Sequence, residues 1–265
     1  MKALTLVEPK KFEIIEKDIP KATGNKVVIK VKRTGICGSD IHMIWQTGYN
    51  AGTNFVIGHE FAGEIYDAGN SATFKKGDRV VAMEIDSCLK DTCEFCGTHR
   101  ENICNHVLEG GPGIGSDGGY GQYVAVREDM VRILPDNVSF TSGAMVEPAS
   151  ISMHGLMLAN VPAGFDAVIE CSGNQKASTM GLNHLKKGGH MVLIAYGNAP
   201  EINVFNFVNS EYHLSGSLFF KTKEFDNVID LMHQGKLNLE PYAKEIEMEN
   251  VQTSLENFEK GLDCP

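Results

Sequence analysis

The sequence predicts a mixed fold in which a β-rich half is followed by an α/β half. Up to about residue 150, short apolar runs are separated by glycines and prolines, which is typical of a closed or barrel-like sheet. Beyond residue 165, apolar strands alternate with helical segments, and this alternation indicates a parallel sheet. Hydrophobic residues make up 42% and charged residues 22% of the 265, an ordinary globular composition with room for two domains.

The elements follow from local periodicity. In residues 26–32 alternate positions from Val27 to Val31 are apolar, which predicts a strand with one buried face. In residues 141–160 the apolar side chains follow helical spacing, and Pro162-Ala163-Gly164 ends this predicted helical segment. Strands are then predicted at 166–173, 190–197 and 213–219, and helices at 176–186, 223–232 and about 251–260.

Charge and apolar content exclude several kinds of partner. The net charge is −10 without a block of like charges, whereas a nucleic acid or an anionic membrane would need a basic face. The apolar run before Glu8 is too short for a signal peptide, and no window approaches the roughly 18 apolar residues of a membrane span. We expect a cytoplasmic protein that binds a small molecule. In that compartment seven cysteines favour metal binding or catalysis over disulfides.

Four clustered cysteines predict a structural zinc site. Cys88, Cys93, Cys96 and Cys104 are spaced C-x4-C-x2-C-x7-C. Four thiolates close a tetrahedral zinc shell and leave no open position, so the ion would replace the hydrophobic core that such a lobe lacks. Free cysteines, or disulfides in an oxidising compartment, are the alternative.

Three residues that precede the cysteine cluster in the sequence have side chains that suit a catalytic zinc. Cys37 lies in Gly35-Ile36-Cys37-Gly38-Ser39-Asp40-Ile41-His42, and the other two in Gly58-His59-Glu60. A thiolate, an imidazole and a carboxylate are ligand types of a zinc site with one open position. Each segment alone is ambiguous, because a buried cysteine is often only a small apolar side chain.

Taken together, these segments resemble the zinc-containing medium-chain dehydrogenases, the superfamily of alcohol, sorbitol and threonine dehydrogenases. Further matches are Lys76-Gly77-Asp78-Arg79-Val80, Gly118-Gly119-Tyr120-Gly121-Gln122-Tyr123-Val124 and Glu147-Pro148-Ala149-Ser150. The resemblance covers nearly the whole chain. It implies a GroES-like β-rich catalytic domain over 1–155, a partial Rossmann-type nucleotide domain over 156–219, and a segment over 220–265 that returns to the catalytic domain.

The resemblance also implies ligand roles. Cys37 and His59 would bind the catalytic zinc, and either Glu60 or Glu147 would take the remaining protein position, with water completing the shell. The alternative for Glu147 is a carboxylate that is favoured simply by the N-terminus of a helix, since it precedes Pro148.

Three more residues would complete the catalytic site. Ser39 would pass the substrate hydroxyl proton outward, His42 would release it to solvent, and Asp40 would orient His59. In the cysteine lobe, Cys93, Cys96 and Cys104 match the family, whereas Cys88 is displaced by the longer first spacing.

The part of the sequence that would bind the nicotinamide cofactor is incomplete. Gly113-x-Gly115-x-x-Gly118 matches the dinucleotide fingerprint, but no apolar strand precedes it and no helix follows, so we reject it as a phosphate cradle. The fingerprint belongs after residue 164, where the chain continues at once into the apparent fourth strand of a nucleotide domain. One mononucleotide half, roughly 60–75 residues, is therefore absent at the 164/165 junction. The turn Cys171-Ser172-Gly173 is the candidate cofactor contact.

Two explanations of this gap are open. The natural protein carries the segment and this chain omits it, or the gene has lost it. A three-stranded remnant would expose a long apolar strand edge, which favours the first explanation or a partner that covers the edge.

The resemblance implies a zinc-dependent oxidoreductase with two zinc ions per chain and NAD or NADP as cofactor. The substrate would be a secondary alcohol, such as a polyol or sugar alcohol, with threonine as another option. A non-catalytic zinc-binding module is the competing function. A zinc hydrolase is disfavoured because the sequence has no His-Glu-x-x-His pair. A homodimer or homotetramer is expected from the family habit.

Overall fold

The computed structural model describes residues 1–8, 10–40, 54–159 and 167–259. The chain divides into two compact units: Met1–Glu147 with Phe225–Pro265, and Pro148–Glu224. This division lies close to the boundaries expected from the sequence, and the assignment of the three segments to domains stays a prediction.

An antiparallel sheet forms the body of the first unit. Its strands are β3 (Lys26–Thr34), β4 (Phe61–Asp67), β5 (Arg79–Ala82), β6 (Tyr123–Arg127) and β7 (Val131–Ile133). They are arranged in the order β6-β3-β4-β5-β7, which places β3 and β4 next to each other in the interior of the sheet. A separate hairpin consists of β1 (Lys2–Glu8) and β2 (Lys11–Glu16).

The core of this sheet follows the period of two in β3. Val27 and Ile29 are buried, and the partly buried Val31 packs against the same cluster, as the sequence predicts. Phe61 and Ile65 of β4 belong to this cluster too. The buried packing therefore holds β3 and β4 together, and the candidate metal ligands lie just beyond their ends.

The second unit contains three parallel strands. They are β8 (Ala167–Glu170), β9 (His190–Leu193) and β10 (His213–Gly216), in the order β10-β9-β8. Helices connect successive strands, so the predicted alternation and the parallel sheet are confirmed.

Six α-helices have both ends within the described residues: α1 (Phe140–Ala144), α2 (Val146–Ala159), α3 (Gln175–Asn183), α4 (Val204–Asn209), α5 (Thr222–His233) and α6 (Val251–Glu259). Residues 38–40 are also helical. None of the helices in the described part of the chain is long and apolar enough to cross a membrane.

Two helix boundaries differ from those expected. Helix α2 begins before Pro148, which is tolerated because an N–H in the first turn has no partner within the helix. Helix α3 ends at Asn183 rather than at 186, and a turn with a left-handed Gly188 leads from it to β9. At its start the Asn174 side chain accepts hydrogen bonds from two backbone N–H groups.

A buried hydrogen-bonded pair lies within the second unit, between His154 of α2 and Glu224 in the first turn of α5. His154 Nδ1 lies 3.0 Å from Glu224 Oε1, and the Lys221 N–H donates to Glu224 Oε2 at 2.6 Å. Burial alone raises the pKa of Glu224, but the contacts with His154 and Lys221 outweigh it and hold the pKa below its ordinary 4.5.

We expect Glu224→Gln to lower the free energy of unfolding at neutral pH by about 1.5–3 kcal/mol, the range for hydrogen bonds to charged groups. Because the pKa is lower in the folded than in the unfolded state, this stabilisation is complete above pH 4.5 and is lost as the pH falls through the folded-state pKa. Urea unfolding at several pH values should show wild type and variant converging in acid. A difference independent of pH would contradict the assignment.

Candidate active site

The register of two strands brings the candidate zinc ligands together. In the antiparallel pair β3 and β4, Thr34 lies opposite Phe61, so the residues after β3 and before β4 meet at one edge of the sheet. The Gly35 N–H donates to the Glu60 carbonyl at 2.6 Å. A Cβ at Gly35 would collide with Glu60 Oε2, so glycine is required here to leave room for the carboxylate.

Cys37, His59 and Glu60 form a compact set. One ligand atom from each side chain lies within 4.8 Å of the other two. His59 is 4% and Glu60 is 6% exposed, while Cys37 is half-buried. The structure therefore brings Cys37 to His59 and Glu60, from which the sequence separates it by more than 20 residues, and the binding of a metal by these side chains stays a proposal.

Asp40 supports this set from behind. Its Oδ2 accepts hydrogen bonds from the Cys37 N–H at 3.0 Å and from the Tyr120 hydroxyl at 2.8 Å. Its Oδ1 faces His59 Nδ1 at 3.6 Å, which is too long for a hydrogen bond, and both atoms are buried with no partner in the described structure. Asp40 thus stands where the sequence predicts an orienting group for His59. Tyr120, which sequence reasoning gave no role, holds it there.

Tyr120→Phe is expected to weaken zinc binding at the Cys37 set by about tenfold, the lower end of the cost of removing a group behind a metal ligand. The hydroxyl is lost while the buried ring remains, so the fold should survive. Chelator competition on wild type and variant measures the change. Unaltered affinity would show that Tyr120 does not support the site through Asp40.

The described residues include only part of the predicted proton relay. Ser39 is half-buried, and its Oγ lies 3.4 Å from His59 Nε2. His42 falls outside the described residues. Its role therefore stays a prediction.

Three buried carboxylates lie side by side at this site. The carboxyl group of Glu147, in the first turn of α2, is within hydrogen-bonding contact of those of Glu84 and Glu60. Glu84 is fully buried and follows the end of β5 by two residues. Sequence reasoning missed it, although a carboxylate within the apolar run Val80–Ile85 is a signal of an unusual environment.

The acidic groups of the site all have raised pKa values. That of Glu60 rises to about 8, first through burial and then through Glu147. Burial raises the pKa of Glu84 to about 7 and that of the Cys37 thiol well above its ordinary value. For His59 burial lowers the pKa, but the surrounding carboxylates, Asp40 foremost, outweigh it. A divalent cation would favour the ionised forms of these groups, and the donor types fit zinc.

The four lobe cysteines also converge. One sulfur atom from each of Cys88, Cys93, Cys96 and Cys104 lies within 4.8 Å of the others, so Cys88 joins the set despite its longer spacing. Backbone N–H groups of Cys96 and Phe95 lower the pKa of the Cys93 thiol to about 6, which favours the thiolate that binds zinc. The arrangement fits a closed zinc site.

The glycine-rich loop that resembles a dinucleotide fingerprint has a packing role. A Cβ at Gly113 or at Gly118 would collide with the backbone carbonyl of Gly58, immediately before His59. The loop contains turns and an isolated bridge between Pro112 and Ser116 rather than a strand and a helix. These glycines allow the loop to approach the ligand segment closely.

The candidate cofactor contact lies at the carboxyl end of β8. The Glu170 carboxylate accepts hydrogen bonds from the N–H groups of Ser172 and Gly173, at 2.8 and 3.2 Å, and Cys171 is exposed. Gly173 has a φ of +63°, and a Cβ there would collide with the Tyr196 carbonyl after β9. Ligands of open α/β sheets bind at this edge, so the position suits a cofactor. Contact with a cofactor stays a proposal.

Two family models match the chain. A model described as an alcohol dehydrogenase GroES-like domain matches residues 23–136, and one described as a zinc-binding dehydrogenase matches residues 147–234. The chain belongs to the zinc-containing medium-chain dehydrogenases. The expected combination of GroES-like and Rossmann-type folds is thereby confirmed.

Two relatives are named as dehydrogenases of a sugar alcohol or its phosphate. D-arabitol-phosphate dehydrogenase of Enterococcus avium is 38% identical over 143 residues, 54% of this chain and 40% of that protein. Sorbitol dehydrogenase of Halalkalibacterium halodurans is 28% identical over 300 residues, and the match covers 86% of each chain. The chain thus spans less than half of the first relative and most of the second. An alignment over 300 residues also exceeds this chain of 265, so that relative has residues without a counterpart here.

A solved dehydrogenase structure shares the fold of this chain. An alcohol dehydrogenase of Escherichia coli CFT073, solved in complex with NADH, aligns with a TM-score of 0.83 at 20% identity. The alignment covers 98% of this chain and 95% of that one.

Proposed function

We propose that this medium-chain dehydrogenase is an oxidoreductase that transfers a hydride between a secondary alcohol and NAD or NADP. The observation that carries the proposal is the compact buried set of Cys37, His59 and Glu60. The names of the relatives favour a polyol or a sugar alcohol as the substrate, and threonine is the other class to test.

Cys37, His59 and Glu60 would hold the catalytic zinc, with Glu147 as the competing carboxylate. When bound there, zinc supplies a Lewis acid that polarises the alcohol oxygen. The convergence of a thiol, an imidazole and a carboxyl group in a buried place supports a cation here, because a cation would favour the ionised form of Glu60, whose pKa burial raises to about 8. The lobe formed by the four clustered cysteines would hold a second, structural zinc.

Ser39 would move the substrate proton. Its half-buried hydroxyl lies beside the His59 ring, at the margin of the buried set. Because a hydroxyl accepts one hydrogen bond while it donates another, Ser39 can take the proton of the alcohol as it passes its own onward. His42 would be the next acceptor.

The cofactor would lie against the second unit. We infer that the Cys171-Ser172-Gly173 turn contacts it, since it lies at the carboxyl end of β8. The Glu170 carboxylate holds the Ser172 and Gly173 N–H groups and so keeps this turn in place.

The test is an oxidation assay on zinc-loaded protein. Sorbitol, a pentitol phosphate, butanediol and threonine would each be mixed with NAD or NADP, and the absorbance of the reduced cofactor followed. We expect a polyol to give a signal that Cys37→Ala abolishes. Folded, zinc-loaded protein that is inactive with every alcohol would rule out the dehydrogenase activity for this chain. The intact mass of the protein from its natural source would show whether the absent segment is part of it.

A non-catalytic zinc-binding module is the second candidate. The described part of the second unit has three parallel strands, and the one glycine fingerprint in the sequence lies in the first unit. A chain without a complete dinucleotide cradle would bind zinc but not NADH. Titration of NADH fluorescence discriminates the two functions, because saturable binding would exclude the module.

A further inference from the structure

The glycine loop over residues 113–118, which the reaction proposed above does not use, leads into a stretch that pairs with the backbone before His59. The three carbonyls of residues 56–58 accept hydrogen bonds of 2.6 to 3.0 Å from the N–H groups of residues 118–120. Residues 56–58 belong to no strand, so the hydrogen bonds of these buried carbonyls come from the end of the loop rather than from a sheet. The loop thus acts as the neighbour of the chain that leads to His59.

This pairing leaves no room for a side chain on the loop. A Cβ at Gly113 or at Gly118 would collide with the backbone of Gly58, and the one at Gly113 would also lie 2.8 Å from the His59 nitrogen. Gly58, Gly113 and Gly118 are all buried. A flexible side chain could turn away from such a contact, but a backbone carbonyl in a close-packed interior can give way only if its neighbours move too.

The segment that contains His59 is held on its other side by the sheet. Phe61, the first residue of β4, lies opposite Thr34 of β3, and the Glu60 carbonyl accepts a hydrogen bond from the Gly35 N–H at 2.6 Å. His59 therefore lies between two supports, the sheet after it and the loop before it. A change in the loop would act on His59 because the sheet does not allow the whole segment to shift as one.

Tyr120 extends the contact of the loop to the second ligand segment. Its ring packs against Gly58, since a Cβ at Gly58 would lie 2.8 Å from the ring atom Cε1. Its hydroxyl donates to Asp40, which also accepts a hydrogen bond from the Cys37 N–H. The stretch from the loop to Tyr120 therefore touches both segments that carry the candidate ligands.

We propose that the 113–118 loop positions the catalytic metal site, and that Gly118 is a positioning residue that acts on His59 through the Gly58 carbonyl. This role depends on the metal site proposed above. Functional groups must be held within about 0.5 Å of their productive geometry. A side chain on the loop would displace the backbone next to His59 and would move the imidazole away from the place that it shares with Cys37 and Glu60.

Gly118→Ala tests this role with the smallest side chain. The backbone of Gly118 lies outside the left-handed region, so alanine adds the collision without adding backbone strain. We expect zinc affinity at the Cys37 set to fall by about 10- to 100-fold, the range for a group that supports a metal ligand. Competition with a chromogenic chelator measures the affinity, and the zinc of the cysteine lobe serves as an internal reference.

Gly77→Ala is the matched control. Gly77 has a φ of +93°, and a Cβ there would meet nothing within 4 Å, so alanine adds backbone strain without a collision. This variant should have a lower melting temperature than wild type and an unchanged zinc affinity. If it weakened zinc binding as much as Gly118→Ala does, general loss of stability would explain both results, and the proposal would be wrong.

Cobalt spectroscopy separates positioning from a purely structural role. In protein with Co²⁺ at the Cys37 set, we expect Gly118→Ala to change the ligand-field absorption, because the imidazole of His59 is displaced. Gly77→Ala should keep the wild-type spectrum. A lower melting temperature of Gly118→Ala with wild-type zinc affinity and an unchanged cobalt spectrum would overturn the proposal, since the loop would then have moved instead of His59.

Asp117→Ala provides a second route if Gly118→Ala fails to fold. The exposed Asp117 accepts hydrogen bonds from the Val56 N–H at 3.0 Å and from Lys17 Nζ at 2.6 Å, so its removal loosens the same pairing without a collision. We expect zinc affinity at the Cys37 set to fall by about tenfold. Wild-type affinity in this variant would overturn the proposal. A wild-type chain that binds only the lobe zinc would instead refute the proposed catalytic site itself.

Discussion

Replacing Cys37 with alanine is expected to remove the catalytic zinc and to lower alcohol oxidation by more than about a hundredfold, beyond the usual loss for a group that only supports a ligand. Its sulfur would be one of three protein ligands in the compact set, and a cation held by His59 and Glu60 alone would dissociate readily. Metal analysis of purified protein should find one zinc per chain instead of two, and circular dichroism should show a fold close to wild type.

The control for this experiment is Cys171→Ala. Cys171 is exposed and belongs to neither cysteine-containing metal set, so this variant should retain both zinc ions. Two zinc ions in Cys37→Ala would show that Cys37 is not a ligand. Loss of both would show that the two sites are not independent.

Cys96→Ala should act on stability. The lobe has few buried apolar residues and two short 3-10 turns, Cys96–Thr98 and Glu101–Ile103, so a zinc ion bound there would supply most of its folding free energy. We expect the melting temperature to fall by roughly 5–10 °C, since each kcal/mol shifts it by about 2–4 °C in a chain of this size. The zinc at Cys37 should remain bound.

Limited proteolysis localises the effect of Cys96→Ala. The variant should be cut first within residues 88–104, and wild type should be cut there only after chelation. If Cys37→Ala and Cys96→Ala lost the same single zinc ion, the model of two sites would be wrong.

The candidate zinc ligands show which residues of the site can be identified from local sequence patterns. Cys37 and His59 are recognisable from the short segments around them, because their residue types and neighbours already suit a zinc site. Glu84 follows a strand of apolar residues and carries no motif. Its surroundings depend on which side chains of other segments lie against it, and no periodicity encodes that.

The glycines of the 113–118 loop show the converse. Their spacing matches a phosphate-binding motif, and the absence of a strand before them was sufficient to reject that function. What the glycines do instead became visible only in the structure. They let one backbone approach Gly58 more closely than any side chain would allow.

The sequence alone determined the β-rich and α/β halves, the parallel sheet and the two groups of candidate ligands. The spacing of apolar residues and the chemical type of a ligand are properties of short segments, so they can be recognised without knowledge of the fold. Only the tertiary structure decided that Cys88 joins its lobe, that Tyr120 holds Asp40, and that Glu84 faces Glu147. Burial and contact between distant segments set the charge balance of the site, because desolvation and neighbouring charges act through space rather than along the chain.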